Sequence, residues 1–383
     1  MRLQNKIILL ISPQAWGKMF LAKHHYAIEL TKYGNRVYFL NPPEQGITGI
    51  EIKQHESIPG LFLIRHSLFF PFQIKFKFKK LFHLLMKFHV KKIMKAVGKQ
   101  PDIIWSFDLG DYYPLKYFGN HAFKIFFPID EPLNKDGIDS ARCCNVIFSV
   151  TEEILEKYSA FDVPKHFTHH GLAAEFIEPG VSSFSKNDKI HFGLSGNWLR
   201  TDIDVACLIQ IVSENPGVIF EFWGACKAED SNIGGGSDSQ AESMIGFLQK
   251  AHNVVLHGVV HPEALAKEFQ RMDGFLICYD ILKDQSKGTN YHKVMEYLST
   301  GKVVVSNNIT TYDKIPGLLE MSKSRADNTE LPDIFKEVIS KINLYNNSER
   351  LAKRKQFAFA NSYARKIIEM ELLMDKPHAT NTN

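Results

Sequence analysis

The residues best suited to chemistry gather in one stretch, residues 288–306, Gly-Thr-Asn-Tyr-His-Lys-Val-Met-Glu-Tyr-Leu-Ser-Thr-Gly-Lys-Val-Val-Val-Ser. It reads as a polar loop, a short helix, a glycine stop and a buried strand. Thr289 or Asn290 suits the helix cap, and Val294, Tyr297 and Leu298 form its inner face. Gly301 ends the helix, and the β-branched run 303–305 is the pattern of a core strand in a parallel sheet. The unpaired N–H groups and the dipole at the helix start favour a phosphate, with Lys293 one turn in. Glu296, three residues further on, can share that face, where a carboxylate suits the two hydroxyls of a ribose. An ordinary amphipathic helix with solvated charges would carry the same letters, so support must come from elsewhere in the chain.

Other residues invite a similar reading. Gly196, just after an apolar strand, lets backbone approach a phosphate, and Arg200 can offer it a bidentate donor. Asp130 follows the strand pattern 123–128, at the carboxyl end where open α/β sheets keep their crevice, although helix caps use the same position. Lys23, His24 and His25 lie near the end of the first loop; a surface histidine pair is the plainer reading, and substrate contact the sharper one. Asp202-Ile-Asp204 has the letters of a metal motif, but it opens a helix, where acids cap and complement the dipole. His257 and His261 could be taken for zinc ligands, yet no third ligand stands nearby and the strand-to-helix scaffold is wrong for a shared helical face. No metal site is expected.

Two α/β runs position these residues. Strand 7–11, helix 20–32 and strand 36–40 form a βαβ unit, without the Gly-x-Gly-x-x-Gly of dinucleotide folds. Strands at 102–107, 123–128 and 144–150 continue it, and a helix at 151–158 has Thr151 as its cap. Residues 178–188 are small and polar and read as a linker. The rhythm restarts with strand 190–195, helix 202–212 and strand 218–223, then a flexible loop over 228–242, strand 253–258, helix 262–272 and strand 274–279. Helical patterns at 333–346 and 348–374 close the chain, and 375–383 is expected to be disordered.

Lys-x-x-Glu-Tyr-Leu followed by small-Gly-Lys and an apolar strand resembles the nucleotide-sugar segment of GT-B glycosyltransferases. The order strand–His-Gly, Pro-Glu-x-Leu, helix, Asp, strand at 253–279 resembles the same family, as does Phe357-Ala-x-x-Asn-Ser-Tyr near the end. Among its members the chain looks most like bacterial cell-envelope polysaccharide enzymes of the teichuronic acid type. The resemblance implies an α/β protein with two Rossmann-like domains facing a central cleft: an acceptor-binding domain at 1–182, a nucleotide-sugar domain at 189–350, and a helix at 351–375 crossing back to the first. It implies a nucleoside-diphosphate-sugar donor held by Gly196, Arg200, Gly258, Val259, Asn290, Tyr291, Lys293 and Glu296, with the loop after Gly258 at the base. Gly17, His24 and Asp130 would meet the acceptor, a polysaccharide or lipid-linked saccharide, and Asp130, Arg200 and Lys293 would be catalytic. Arg200 and Lys293 would stabilise the leaving diphosphate, so neither a cofactor nor a divalent ion is required. His170 stands where the family commonly has Asn. Many retaining members have a second Glu eight positions before Glu296, where this chain has Gly288, and neither Asp280 nor Asp284 keeps the spacing. A retaining outcome therefore rests on the resemblance alone. A sugar-nucleotide epimerase of the same architecture, or a non-catalytic sugar-nucleotide-binding partner, are the rival readings.

At 383 residues, 44% hydrophobic and 23% charged, the chain suits a globular protein of two domains. A net charge of +4 gives no global nucleic-acid signature, and no partnership with nucleic acid is expected. The charge is uneven: residues 57–101 hold no acid but contain Arg65 and nine lysines, interleaved with aromatics. Such a face suits either a solvated surface or an anionic membrane, with residues 65–99 as the contact. Five cysteines without Cys-x-x-Cys argue for reduced thiols, and the N-terminal apolar run is too short for a secretory signal. The expected location is the cytoplasm, at the inner face of the membrane if the basic stretch docks there.

Overall fold

The computed structural model describes residues 3–17, 20–180, 188–227, 239–284 and 287–374. They divide into two compact units, Met1–His169 with Tyr363–Asn383, and His170–Ser362. The sequence reading drew its boundaries at 182 and 350. Residues just past His169 go with the second unit because Phe176 packs on Phe269, ring centroids 5.8 Å apart. The helix Ser348–Ala360 stays there too, through buried Arg354, which donates to the carbonyls of Gly301 (3.3 Å) and Tyr345 (2.8 Å). Most of the expected linker, residues 181–187, lies outside the described residues, as do residues 228–238 of the expected flexible loop and 375–383.

The first unit is an eight-stranded sheet: β1 (Ile7–Ile11), β2 (Arg36–Leu40), β3 (Ile50–Gln54), β4 (Leu61–His66), β5 (Ile103–Ser106), β6 (Phe123–Phe126), β7 (Val146–Ser149) and β8 (Lys165–Phe167). Its order is β3-β4-β2-β1-β5-β6-β7-β8, parallel throughout except for the β3–β4 pair. Strand β1 is apolar on both faces because helices cover both, which is why it reads as an unbroken run. Strand order reverses between β1 and β5. The helix Lys79–Val97 lays Phe82, Met86, His89, Val90, Ile93 and Val97 on the sheet. The C-terminal pattern 348–374 breaks at Asn361 and Ser362. Asn361 caps the first helix and its carbonyl accepts from Leu172 N–H at 2.8 Å. The helix Tyr363–Leu373 then packs on Ala22–Thr31, with Tyr363 against Tyr26 at 4.9 Å, and Glu371 accepts from Leu3 N–H at 2.9 Å.

The second unit is a six-stranded, all-parallel sheet: β9 (Ile190–Ser195), β10 (Val218–Trp223), β11 (Val254–Gly258), β12 (Gly274–Ile277), β13 (Val303–Ser306) and β14 (Glu320–Met321). The order β11-β10-β9-β12-β13-β14 reverses between β9 and β12. In open sheets of this kind ligands bind outside the carboxyl ends of the strands at such a reversal. Where the sequence placed a helix from 202, it begins at Val205, because Asp204 is the cap and accepts from Cys207 N–H at 3.1 Å.

Candidate functional site

Residues from separate segments meet at the β9/β12 reversal. Ser195 ends β9, Tyr279 lies two residues past β12, and Lys293 begins the helix Lys293–Ser299. The Lys293 ammonium is almost fully buried and donates to the Ser195 carbonyl and, at 2.7 Å, to the Tyr279 hydroxyl. One turn on, the Tyr297 hydroxyl accepts from Ser195 N–H at 2.7 Å and meets Ser195 Oγ at 3.0 Å. The Tyr297 ring stacks on Phe275 of β12 at 4.3 Å. Two side chains thus pin a seven-residue helix to the tip of β9. Gly196 is glycine for a local reason, since a Cβ there would stand 2.8 Å from Lys293 Nζ. Beside it, a Cβ on Gly224 would stand 1.6 Å from the Gly196 carbonyl oxygen, so the β9 and β10 tips also touch backbone to backbone.

Tyr279 is the hub, and the sequence reading did not single it out. Its ring lies 4.9 Å from Tyr291, under the Arg200 guanidinium at 5.0 Å and under the Lys293 ammonium at 5.0 Å. Its sequence signal was an aromatic residue at a strand's carboxyl end, which is weak alone. Asp284, which lacks the spacing of a second acid before Glu296, belongs to the same site. Fully buried, it accepts from Tyr291 Oη at 2.6 Å and Gly288 N–H at 3.0 Å, and it pairs with Arg200 at 3.4 Å.

The two cations differ. Arg200 is clamped by Asp202, with Nε to Oδ1 at 2.7 Å and a terminal nitrogen on Oδ2, and it also faces Asp284. Among the described residues Lys293 is held by neutral oxygens alone, those of Ser195 and Tyr279. The Asp202-Ile-Asp204 letters therefore serve a guanidinium clamp and a helix cap, in that order. Among the described residues no cluster of His, Cys, Asp and Glu suited to a metal ion occurs.

Glu296 is half-buried, and its carboxylate has no hydrogen-bond partner among the described residues. Burial pushes its carboxyl up to about 7; the Lys293 charge opposes that, and Glu175 nearby adds to it. The position before the helix is His292, not Thr289 or Asn290. Asn290 Oδ1 accepts instead from Tyr312 Oη at 3.2 Å, and the backbone carbonyl of Thr289, three residues short of His292, accepts from Thr311 Oγ1 at 2.5 Å. Gly258 ends β11 and Val259 follows it, two strands from β9, where the Gly258 carbonyl accepts from Gly224 N–H at 2.7 Å. His257 of the rejected zinc pair is bound to Glu221 at 2.9 Å.

In the first unit, the histidines depart from the surface-pair reading. His24 is fully buried: Nδ1 accepts from Leu21 N–H at 3.0 Å and Nε2 meets the Ala15 carbonyl at 3.1 Å. Burial depresses it to about 4. His25 is pushed to about 3 by burial and stacks on Tyr363 at 5.0 Å. Neighbouring Lys23 is buried too, bound to Gln14; burial lowers its pKa against the opposing charge of Asp130, which is exposed beyond β6. The structure thus brings Lys23, rather than His24, into the field of Asp130. Gly17 lies between β1 and the helix that carries Lys23.

The parallel sheet of the second unit, with its order reversed beside a buried lysine, is Rossmann-like, and the first unit has a mostly parallel sheet with a reversal of its own. No family model and no curated protein matches the sequence. Among solved structures the chain is similar to sucrose-phosphate synthase from Thermosynechococcus elongatus, at 11% identity over 96% of this chain and 98% of that one, with a TM-score of 0.68. It is similar to a structure described as trehalose-6-phosphate from E. coli bound with UDP-2-fluoro glucose (10% identity, 97% and 99% covered, TM-score 0.69). Anabaena HepE in complex with UDP and glucose follows at 12% identity, 96% and 99% covered, with a TM-score of 0.63. The chain has the GT-B fold.

Proposed function

We propose that this chain is a glycosyltransferase that takes a sugar from a nucleoside-diphosphate donor. The observation that carries the proposal is the second unit's reversal point, where the buried Lys293 ammonium forms no ion pair among the described residues, beside the Gly196 backbone and one turn before Glu296, whose carboxylate has no hydrogen-bond partner among them. A diphosphate supplies the negative charge that Lys293 lacks, and a ribose supplies two hydroxyl donors for Glu296. That two similar structures are described with UDP-2-fluoro glucose and with UDP and glucose supports this reading.

In this account Lys293 stabilises the charge that develops on the leaving diphosphate, the electrostatic task a metal ion performs elsewhere. Arg200 joins it on release from Asp202. Asn290 and Tyr291 shape the diphosphate side, and Gly258 and Val259 the base side. In the first unit Gly17, Lys23 and Asp130 receive the acceptor, a saccharide or lipid-linked saccharide of the cell envelope, and His24 holds the loop that presents them. The anomeric configuration is retained. The test is turnover of uridine and guanosine diphosphate sugars with and without saccharide acceptors. Acceptor-dependent release of the nucleoside diphosphate, abolished by Lys293→Met, is expected; an isomerised sugar nucleotide formed without acceptor would make the protein an epimerase instead.

A further inference from the structure

We propose that the face made by the helices Ile74–Lys77 and Lys79–Val97 docks this protein on an anionic lipid surface. Three observations meet there. Half of the exposed large apolar side chains among the described residues lie between 69 and 88: Phe69, Phe76, Phe78, Leu81, Leu84 and Phe88. Phe76 and Phe78 are 76% and 63% exposed, the most exposed of the six. Interleaved with them are lysines with no acid among residues 57–101.

The structure narrows the charge. Arg65 is spent on Glu44, at 2.7 and 2.9 Å, and Lys75 and the more exposed Lys79 pair with Asp136. The other seven, Lys77, 80, 87, 91, 92, 95 and 99, are exposed and form no ion pair among the described residues. At about 100° per residue, Lys80, Leu81, Leu84, Lys87, Phe88, Lys91 and Lys95 fall within one arc of about 120°. The buried residues of the same helix, from Phe82 to Val97, occupy the opposite arc. One face of the helix therefore belongs to the core and the other presents lysines around an apolar centre, the composition of a helix lying in a lipid interface. The aliphatic Leu81 and Leu84 favour lipid over a soluble polyanion, which the lysines alone would serve. No helix of the described residues is long and apolar enough to cross a membrane. The proposal is independent of the donor site, and either can fail alone.

The test is co-sedimentation of the full chain with vesicles of phosphatidylglycerol and phosphatidylcholine, at low and high salt, against phosphatidylcholine alone. Binding only to the anionic vesicles, released by high salt, is expected. The double variant Phe76→Ser, Phe78→Ser and the triple variant Lys80→Glu, Lys87→Glu, Lys91→Glu should each lose binding about tenfold or more while unfolding at the wild-type temperature, since every altered side chain is exposed. Failure to bind anionic vesicles, or equal binding to neutral ones, overturns the proposal. So does an unaffected phenylalanine variant displaced by an oligonucleotide or heparin, which would make the partner an acidic macromolecule.

Discussion

Arg200 and Lys293 both stand 5.0 Å from the centre of the Tyr279 ring, yet among the described residues only Arg200 forms an ion pair. A diphosphate must compete with Asp202 for Arg200, so Asp202→Asn should tighten nucleoside-diphosphate binding, by up to about tenfold. Calorimetric titration measures this, and a weaker affinity would mean that Asp202 props the arginine in its working position. Glu296 gives the pH dependence. Its folded-state pKa, about 7, lies above the usual 4.5, so the folded protein holds more protons than the unfolded chain between those values. Stability therefore falls as pH rises from about 4.5 to 7, by about 1–2 kcal/mol once solvent screening of a half-buried carboxylate is allowed for. Glu296→Gln should remove that slope from thermal unfolding curves. Lys293, Glu296 and Gly196 were legible in the sequence because a helix start, a three-residue spacing and a glycine after a strand are local signals. Tyr279, Asp284 and the buried state of His24 were not, because each is defined by what packs on it from distant segments.

The helix Lys293–Ser299 is too short to stand by itself and depends on its attachment to β9. Tyr297 supplies that attachment together with Lys293. Tyr297→Phe keeps the stacking on Phe275 but leaves the Ser195 N–H buried without its acceptor. Urea unfolding should show a loss of about 1–3 kcal/mol, and a smaller loss would mean that the helix is held by Lys293 and packing alone. Apolar runs and glycine stops marked most strands, including β1, β9 and β13. Helix ends were less legible: the helix expected from 202 starts at Val205 behind its Asp204 cap, and the Asn290 side chain is drawn off by Tyr312. That competitor lies some twenty residues downstream, where no local rule looks for it.

Across the whole molecule, the last helix closes the first unit. Ile367 and Met370 are buried in that unit, and Glu371 holds the backbone of Leu3. Ile367→Ala, at 1% exposure, should cost about 2–4 kcal/mol, read from the thermal transition; a cost under about 1 kcal/mol would mean that the helix rests loosely on the sheet. That the last helix returns was legible through the pattern ending Asn-Ser-Tyr363, whereas the crossing at His169 was not, since Phe176 reveals its partner Phe269 only in three dimensions. The GT-B fold leaves the donor open to direct measurement. Calorimetric titration of wild type and Glu296→Gln with uridine and guanosine diphosphates tests the central claim. Loss of charge-assisted hydrogen bonds to a ribose, at about 1.5–3 kcal/mol each, predicts affinity for the preferred nucleotide reduced about 10- to 100-fold. An unchanged affinity would contradict the donor site, and with it the assignment as a sugar transferase.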